Sequence, residues 1–298
     1  MRGHRLPIFV LCLLAVTSLQ AESLPNFEGF WDYRTATPLE KPSALGDRNH
    51  FDDQEAVSFE SQIEARAVNF VKSVGNFVGD EPWADRGQFL TEGSRASLII
   101  DPANGRLPPR TKYGKTLAGG WKGQMMSDPS GPEDRTMLER CAYNPVTPIR
   151  PSFFNNNLRI VQTDEFFVIH TEMIHEARIV RIVTPPVQHT LPASYRGESL
   201  GYWDSETFVI ETQGFAPHTN HLGTSAELHL TEKLRHDIDN DKLIYEFTIN
   251  DPKTFTRPWT ARQTLSRLDG LIYEYACHEG NTLDVMLRGA RLQDQDPG

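Results

Sequence analysis

The chain has 298 residues, with 40 Asp and Glu against 30 Lys and Arg and a formal net charge of -10. So acidic a surface repels phosphate backbones, and its few Lys and Arg clusters are interleaved with acids, so nucleic acid is not expected as a partner. No apolar stretch approaches the roughly 20 residues a helix needs to cross a bilayer, so no membrane insertion is expected once the leader described next is removed.

Met1 to Arg5 form a basic start, Leu6 to Val16 an apolar run, and Ala21 a small residue at a cleavage position, the order of a secretory signal peptide. Phe9, Val10 and Leu11 ahead of Cys12 lack the small residues that lipid attachment prefers, so no lipid anchor is expected. A cut after Ala21 removes Arg2 and Arg5 and no acid, taking the formal charge from -10 to -12 and directing the protein to the periplasm or beyond. Residues 22–298 then read as one domain, a helix- and loop-rich wrapping region over 22–150 and the main strands over 151–298. Cleavage leaves Cys141 and Cys277. In an oxidising compartment the natural reading is one disulfide; two separate buried thiols are the alternative.

Apolar residues at Phe59, Ile63, Ala67, Phe70, Val71 and Val74 recur at three and four, and Asp52 with Glu55 resembles a capping box, so a helix is predicted from Asp52 to Val74. The Pro- and Gly-rich region from Asp101 to Pro132 reads as long loops wrapping the core, followed by a short helix near Glu133 to Arg140. Eight strands follow: Leu158 to Thr163, Phe166 to Glu172, Ala177 to Thr184, Thr207 to Gln213, Glu227 to Arg235, Leu243 to Asn250, Thr260 to Arg267 and Leu271 to Cys277. Turn signals at Asp239 to Asp241 and at Asp269 with Gly270 suit antiparallel hairpins. The expected fold is mainly β, an antiparallel meander closing into a barrel, with one N-terminal helix. In Leu243 to Asn250, Leu243, Tyr245, Phe247 and Ile249 share an apolar face while the other face is mixed. That fits a barrel around a partly polar interior, and equally an ordinary solvated outer face.

Gly29, Phe30, Trp31, Asp32 is echoed by Gly201, Tyr202, Trp203, Asp204. A Gly followed two residues later by Trp near the start of a barrel resembles the signature of the lipocalin superfamily. That resemblance implies a barrel plugged by the Trp, with small apolar ligands inside, and it carries over no catalytic residue. A wider likeness covers the last half of the chain. Asn155 to Asn157, Glu172 with His175, Thr256 to Trp259, and the string Tyr273 to Asn281 resemble, in this order, segments of a family of exported bacterial proteins. This second resemblance implies no activity.

The stretch His170 to Arg178 is the densest ionisable cluster in an otherwise β-like region. Glu172 beside His175 suits general acid or base chemistry near neutral pH, with Arg178 to stabilise a developing anion. In an extended strand Glu172 and His175 point to opposite faces, so the pair requires a turn near Ile174. A hairpin with solvated charges is the plainer reading. His278, next to Cys277, is a further proton-transfer candidate if the disulfide holds it rigidly, or a structural histidine if not. Asn156, Tyr245, Trp259 and Tyr273 are the expected ligand contacts, although aromatics in a barrel serve packing first. His218 and His221, with His229, are spaced for a divalent metal, but without a fixed third ligand none is assigned. No glycine pattern for a dinucleotide or P-loop follows a strand, and no cofactor is expected. The sequence thus favours an exported enzyme of lyase, isomerase or hydrolase type acting on a small hydrophobic or aromatic molecule. The rivals are a non-catalytic carrier of such a molecule and an interaction protein without a cavity.

Overall fold

The computed structural model describes residues 24–73, 87–117, 140–141, 147–152, 154–217 and 223–279. The expected signal peptide, the helix expected at Glu133 to Arg140, and His218 and His221 therefore lie outside the described residues, apart from Arg140.

The first element, β1 (Gly29–Asp32), precedes helix α1 (Asp53–Ser73). Asp52 caps that helix as its residues predict: the Glu55 N–H donates to Asp52 Oδ1 at 2.9 Å and the Asp52 N–H to Glu55 Oε2 at 3.0 Å. A bidentate Arg48 reinforces the box and holds the Glu55 carboxyl down at about 2. A short strand β2 (Ile99–Asp101) and helix α2 (Lys112–Leu117) follow, and then the run that makes the barrel. It comprises β3 (Asn157–Gln162), β4 (Phe166–Thr171), β5 (Ala177–Ile182), β6 (Glu198–Asp204), β7 (Thr207–Gln213), β8 (His229–Asp237), β9 (Lys242–Asn250) and β10 (Trp259–Arg267).

The sheet order is β1-β3-β4-β5-β6-β7-β8-β9-β10-β2, and β1 also pairs with β10, which closes nine strands into a barrel and leaves β2 as an extra strand on β10. The expected barrel is therefore present, with three corrections. Leu271 to Cys277 is not a strand; it runs as irregular chain, because the register at the far edge of β10 is taken by β1 and β2. Strands β1, β2 and β6 are additional, since short or Gly-containing segments give weak alternation. The meander is also not wholly antiparallel, because β5 and β6 pair parallel at Arg181↔Leu200 and Ile182↔Gly201. A ring of nine strands requires this: direction must return to its starting sense after one circuit, so the number of antiparallel neighbours must be even.

Alternation decides which side chains face inward. On β9 the inward set Leu243, Tyr245, Phe247 and Ile249 is at most 1% exposed, while the residues between them are half-buried. One end, here called the lower, is closed by Phe27, Trp31, Trp203 and His236. The rings of Phe27 and Trp203 lie 5.4 Å apart, and the Trp31 indole N–H donates to the Phe27 carbonyl. The Arg267 guanidinium covers Trp31 at 3.8 Å and donates to the Glu28 carbonyl, so a cation and a backbone bond seal this end. Gly201 faces inward beneath Phe208 and Val180; a Cβ there would meet the Phe208 ring at 2.5 Å and a Val180 methyl at 2.9 Å. A Gly201→Val variant is expected to lose about 1–3 kcal/mol of stability to overpacking, read as a lower urea midpoint with the same slope.

Candidate functional site

The chain does turn where Glu172 and His175 require it. Met173–His175 is a single 3-10 turn in which Ile174 and His175 both take positive φ, at 62° and 43°. That turn separates the two side chains. Glu172 is fully buried, and its carboxylate accepts from Asn155 Nδ2 at 2.5 Å, Asn157 Nδ2 at 3.3 Å and the Tyr273 N–H at 3.0 Å. His175 is exposed, with Nδ1 at 2.8 Å from the Tyr275 carbonyl. Both ends of the turn therefore grip the irregular C-terminal segment. The Cys141–Cys277 disulfide ties that segment down again. Three donors on a buried carboxylate make Glu172 an anchor rather than a free base.

His278 and Tyr273 are exposed. Asn156 is buried, but its amide is spent on Ser152, accepting from the Ser152 N–H at 2.6 Å and donating to its carbonyl at 3.0 Å. Arg178 points the other way from Glu172's cluster, into the barrel. The three expected proton-transfer residues and their expected anion stabiliser thus occupy three environments: a buried anchor for Glu172, exposed positions for His175 and His278, and the barrel interior for Arg178.

The interior contains a polar network that only partly coincides with those expectations. Arg178 binds Glu232 through two nitrogens, at 3.0 and 2.5 Å, with the side chains 4% and 0% exposed. Its Nε donates to Ser199 Oγ and its Nη2 to Thr212 Oγ1. The Tyr245 hydroxyl donates to Glu232 Oε1 at 2.6 Å and accepts the Ile149 N–H at 3.0 Å. Burial is the largest influence on Arg178 and lowers its pKa, but the Glu232 charge and its hydrogen bonds together outweigh it and the net direction is up. Burial and then the same carboxylate push Tyr245 well above its ordinary range, so its phenol stays protonated. Arg178 thus stays charged and Tyr245 neutral, which suits positioning and not proton transfer at neutral pH.

Ile149 belongs to a strap, residues 147–150, that enters the upper end of the barrel. Gln263, the cross-strand partner of Tyr245, donates Nε2 to the Ile149 carbonyl at 3.2 Å, so both polar groups of that buried residue are held. Polar atoms remain on this side of the barrel that are buried and bonded to nothing: Gln263 Oε1, Trp259 Nε1, Thr254 Oγ1 and Thr147 Oγ1. Trp259 lies against the rings of Phe247 and Phe255 at 5.7 and 6.0 Å.

Glu232, Gln263, Ser199 and Thr212 were not anticipated, although two of them leave a sequence signal. Glu232 shares parity with Leu230 and Leu234, and Gln263 with Ala261 and Leu265, so each is a polar residue on an apolar face. A concavity of about 470 Å³ lies outside the barrel, between residues 87–92 and the edges of β1, β9 and β10. Its charges are already matched, Arg34 with Asp32, Lys242 with Glu92 and Arg267 with Asp241. Among the described residues no three His, Cys, Asp or Glu side chains gather as metal ligands; His229 faces only Glu211, at 3.5 Å. Comparison of the chain with family models, curated proteins and solved structures gives no match.

Replacing Glu232 alone by Leu strands the buried Arg178 and is expected to cost about 3–5 kcal/mol, whereas the Arg178→Met/Glu232→Leu pair recovers most of it in urea unfolding. Glu172→Ala, which unpairs two amides and a backbone N–H, is expected to speed hydrogen exchange at the Tyr273 amide far more than at β9.

Proposed function

We propose that the protein is an exported barrel that binds a small, largely apolar molecule inside its upper end and carries it without chemical change. One observation carries this reading. The interior satisfies even a buried ion pair with three further partners, Ser199, Thr212 and Tyr245, yet leaves the inward-facing Trp259 Nε1 and Gln263 Oε1 of β10 buried and unbonded. An unbonded buried polar group costs about 1–3 kcal/mol, which a bound molecule offering the complementary groups would return. The aromatic surroundings and the resemblance of Gly29 and Trp31 to the lipocalin signature support the same reading. A turnover enzyme is supported less well, because Glu172, His175, Arg178 and His278 do not converge and Tyr245 does not titrate near neutrality.

Native mass spectrometry on protein from its own exported fraction tests this. A one-to-one small-molecule adduct, lost on denaturation and depleted in a Trp259→Phe variant, is the expected result. A wild-type mass equal to the chain alone, together with tryptophan fluorescence indifferent to saturating aromatic probes, overturns it.

A further inference from the structure

The chemistry of the unbonded atoms constrains the bound molecule more tightly than "small and apolar". This step rests on the binding reading above. Trp259 offers a donor and nothing else, since an indole nitrogen carries only its N–H. Gln263 offers an acceptor, and which end of its amide faces the interior is settled by its neighbour. Nε2 donates to the Ile149 carbonyl, and a flipped amide would set Oε1 against that carbonyl oxygen. The free atom is therefore Oε1. Donor and acceptor sit on the same face of one strand, separated by Ala261, which is fully buried and contributes only a methyl group. Four residues of strand place their backbones about 13 Å apart.

Charge is excluded by the rest of the interior. Both oxygens of Glu232 are engaged, by Arg178 and Tyr245, and Nε, Nη1 and Nη2 of Arg178 are all bonded. An ionised ligand would be desolvated beside a pair that has no charge left to offer, at a cost well beyond that of a neutral group. Phe247 and Phe255 flank the Trp259 ring edge-on, so the walls near the donor are aromatic. The buried Thr254 hydroxyl, on the turn before β10, adds a group able to give or accept.

We infer that the ligand is an uncharged, flat, apolar molecule with a carbonyl or ether acceptor at one end, bound by the Trp259 indole N–H, and a hydroxyl or amide donor at the other, bound by Gln263 Oε1. Orientation follows directly, with the acceptor toward the 251–258 turn and the donor toward the strap at Ile149.

Titration calorimetry of the mature protein with four naphthalene probes tests the assignment: naphthalene, acetylnaphthalene, hydroxy-acetylnaphthalene with its substituents on opposite rings, and hydroxynaphthoate. Each added group is expected to tighten binding by about tenfold, and the carboxylate to bind at least about tenfold more weakly than the hydroxy-ketone. Trp259→Phe should erase the advantage of the acetyl group while keeping that of the hydroxyl; Gln263→Met should do the reverse. Trp259→Phe suffices by itself if the Gln263 variant, which also releases Ile149, fails to fold. Equal affinity for all uncharged probes, tightest binding of the carboxylate, or a uniform loss across probes in Trp259→Phe overturns the ligand assignment and leaves the binding reading standing. No binding of any probe brings down the binding reading itself.

Discussion

Nine strands cannot alternate in direction all the way around a closed ring, and that parity requirement governs what surrounds it. The one parallel junction falls between β5 and β6 and is short, with two residue pairs. A parallel step also needs a crossover, supplied by residues 183–197, which return the chain along the outside of the barrel. Nearer the upper end, side chains bridge what the backbone ladder does not. Arg196 pairs with Glu176 on the outside, and Arg178 reaches Ser199 on the inside. The buried guanidinium is thus part of the wall's closure. Glu232, three strands further round on β8, is its counter-charge, and Tyr245, on β9, ties that carboxylate to the strap.

The barrel divides lengthwise as a result. Its lower end is a solid plug beneath Arg267 in which His236 meets Phe27 and Trp31 edge to face and Trp203 tilts against Phe27, and Asp241 links His236 to Arg267. Its upper half holds the polar network and the strap. The strap is fastened at its far end by Asn156 to Ser152, while the adjacent Asn155 joins Asn157 and Tyr273 on Glu172. One buried carboxylate therefore holds together the start of β3, the turn after β4 and the C-terminal segment. A cluster that looks catalytic as a string of letters is a joint. Its three donors occupy both oxygens of the Glu172 carboxyl group and tie it to structure.

Among the buried side-chain atoms left unbonded, which also include Asn155 Oδ1 and both ring nitrogens of His189, those of Trp259 and Gln263 lie on the inward face of β10. Where the fold needs a polar group satisfied, it supplies bonds from several strands at once, as around Glu232. Trp259 and Gln263 are as deeply buried and receive no such attention at Nε1 and Oε1. Most buried polar side-chain atoms find a partner, so an exception on an inward face next to a set of aromatic rings points to function before it points to error in design.

The helix with its capping box, the barrel class, and the strands from β3 to β5 and β7 to β10 were all legible, because period and turn chemistry are local properties. Trp259 and Tyr245 were legible as interior aromatics for the same reason. Strands β1 and β6 were visible only as an echo of Gly, Trp and Asp, since neither alternates clearly. The last expected strand, Leu271 to Cys277, had the right composition and no edge to join: β1 had already closed the ring. Glu172, His175, Arg178 and His278 are near one another in sequence or sit beside a cysteine, yet a two-residue run of positive φ and the inward parity of Arg178 send them to different places. Residue order alone determined the repeating pattern and the barrel class. Only the closed structure decided which polar groups meet, because partnership across a barrel depends on strand direction and register, and those are settled by the ring as a whole.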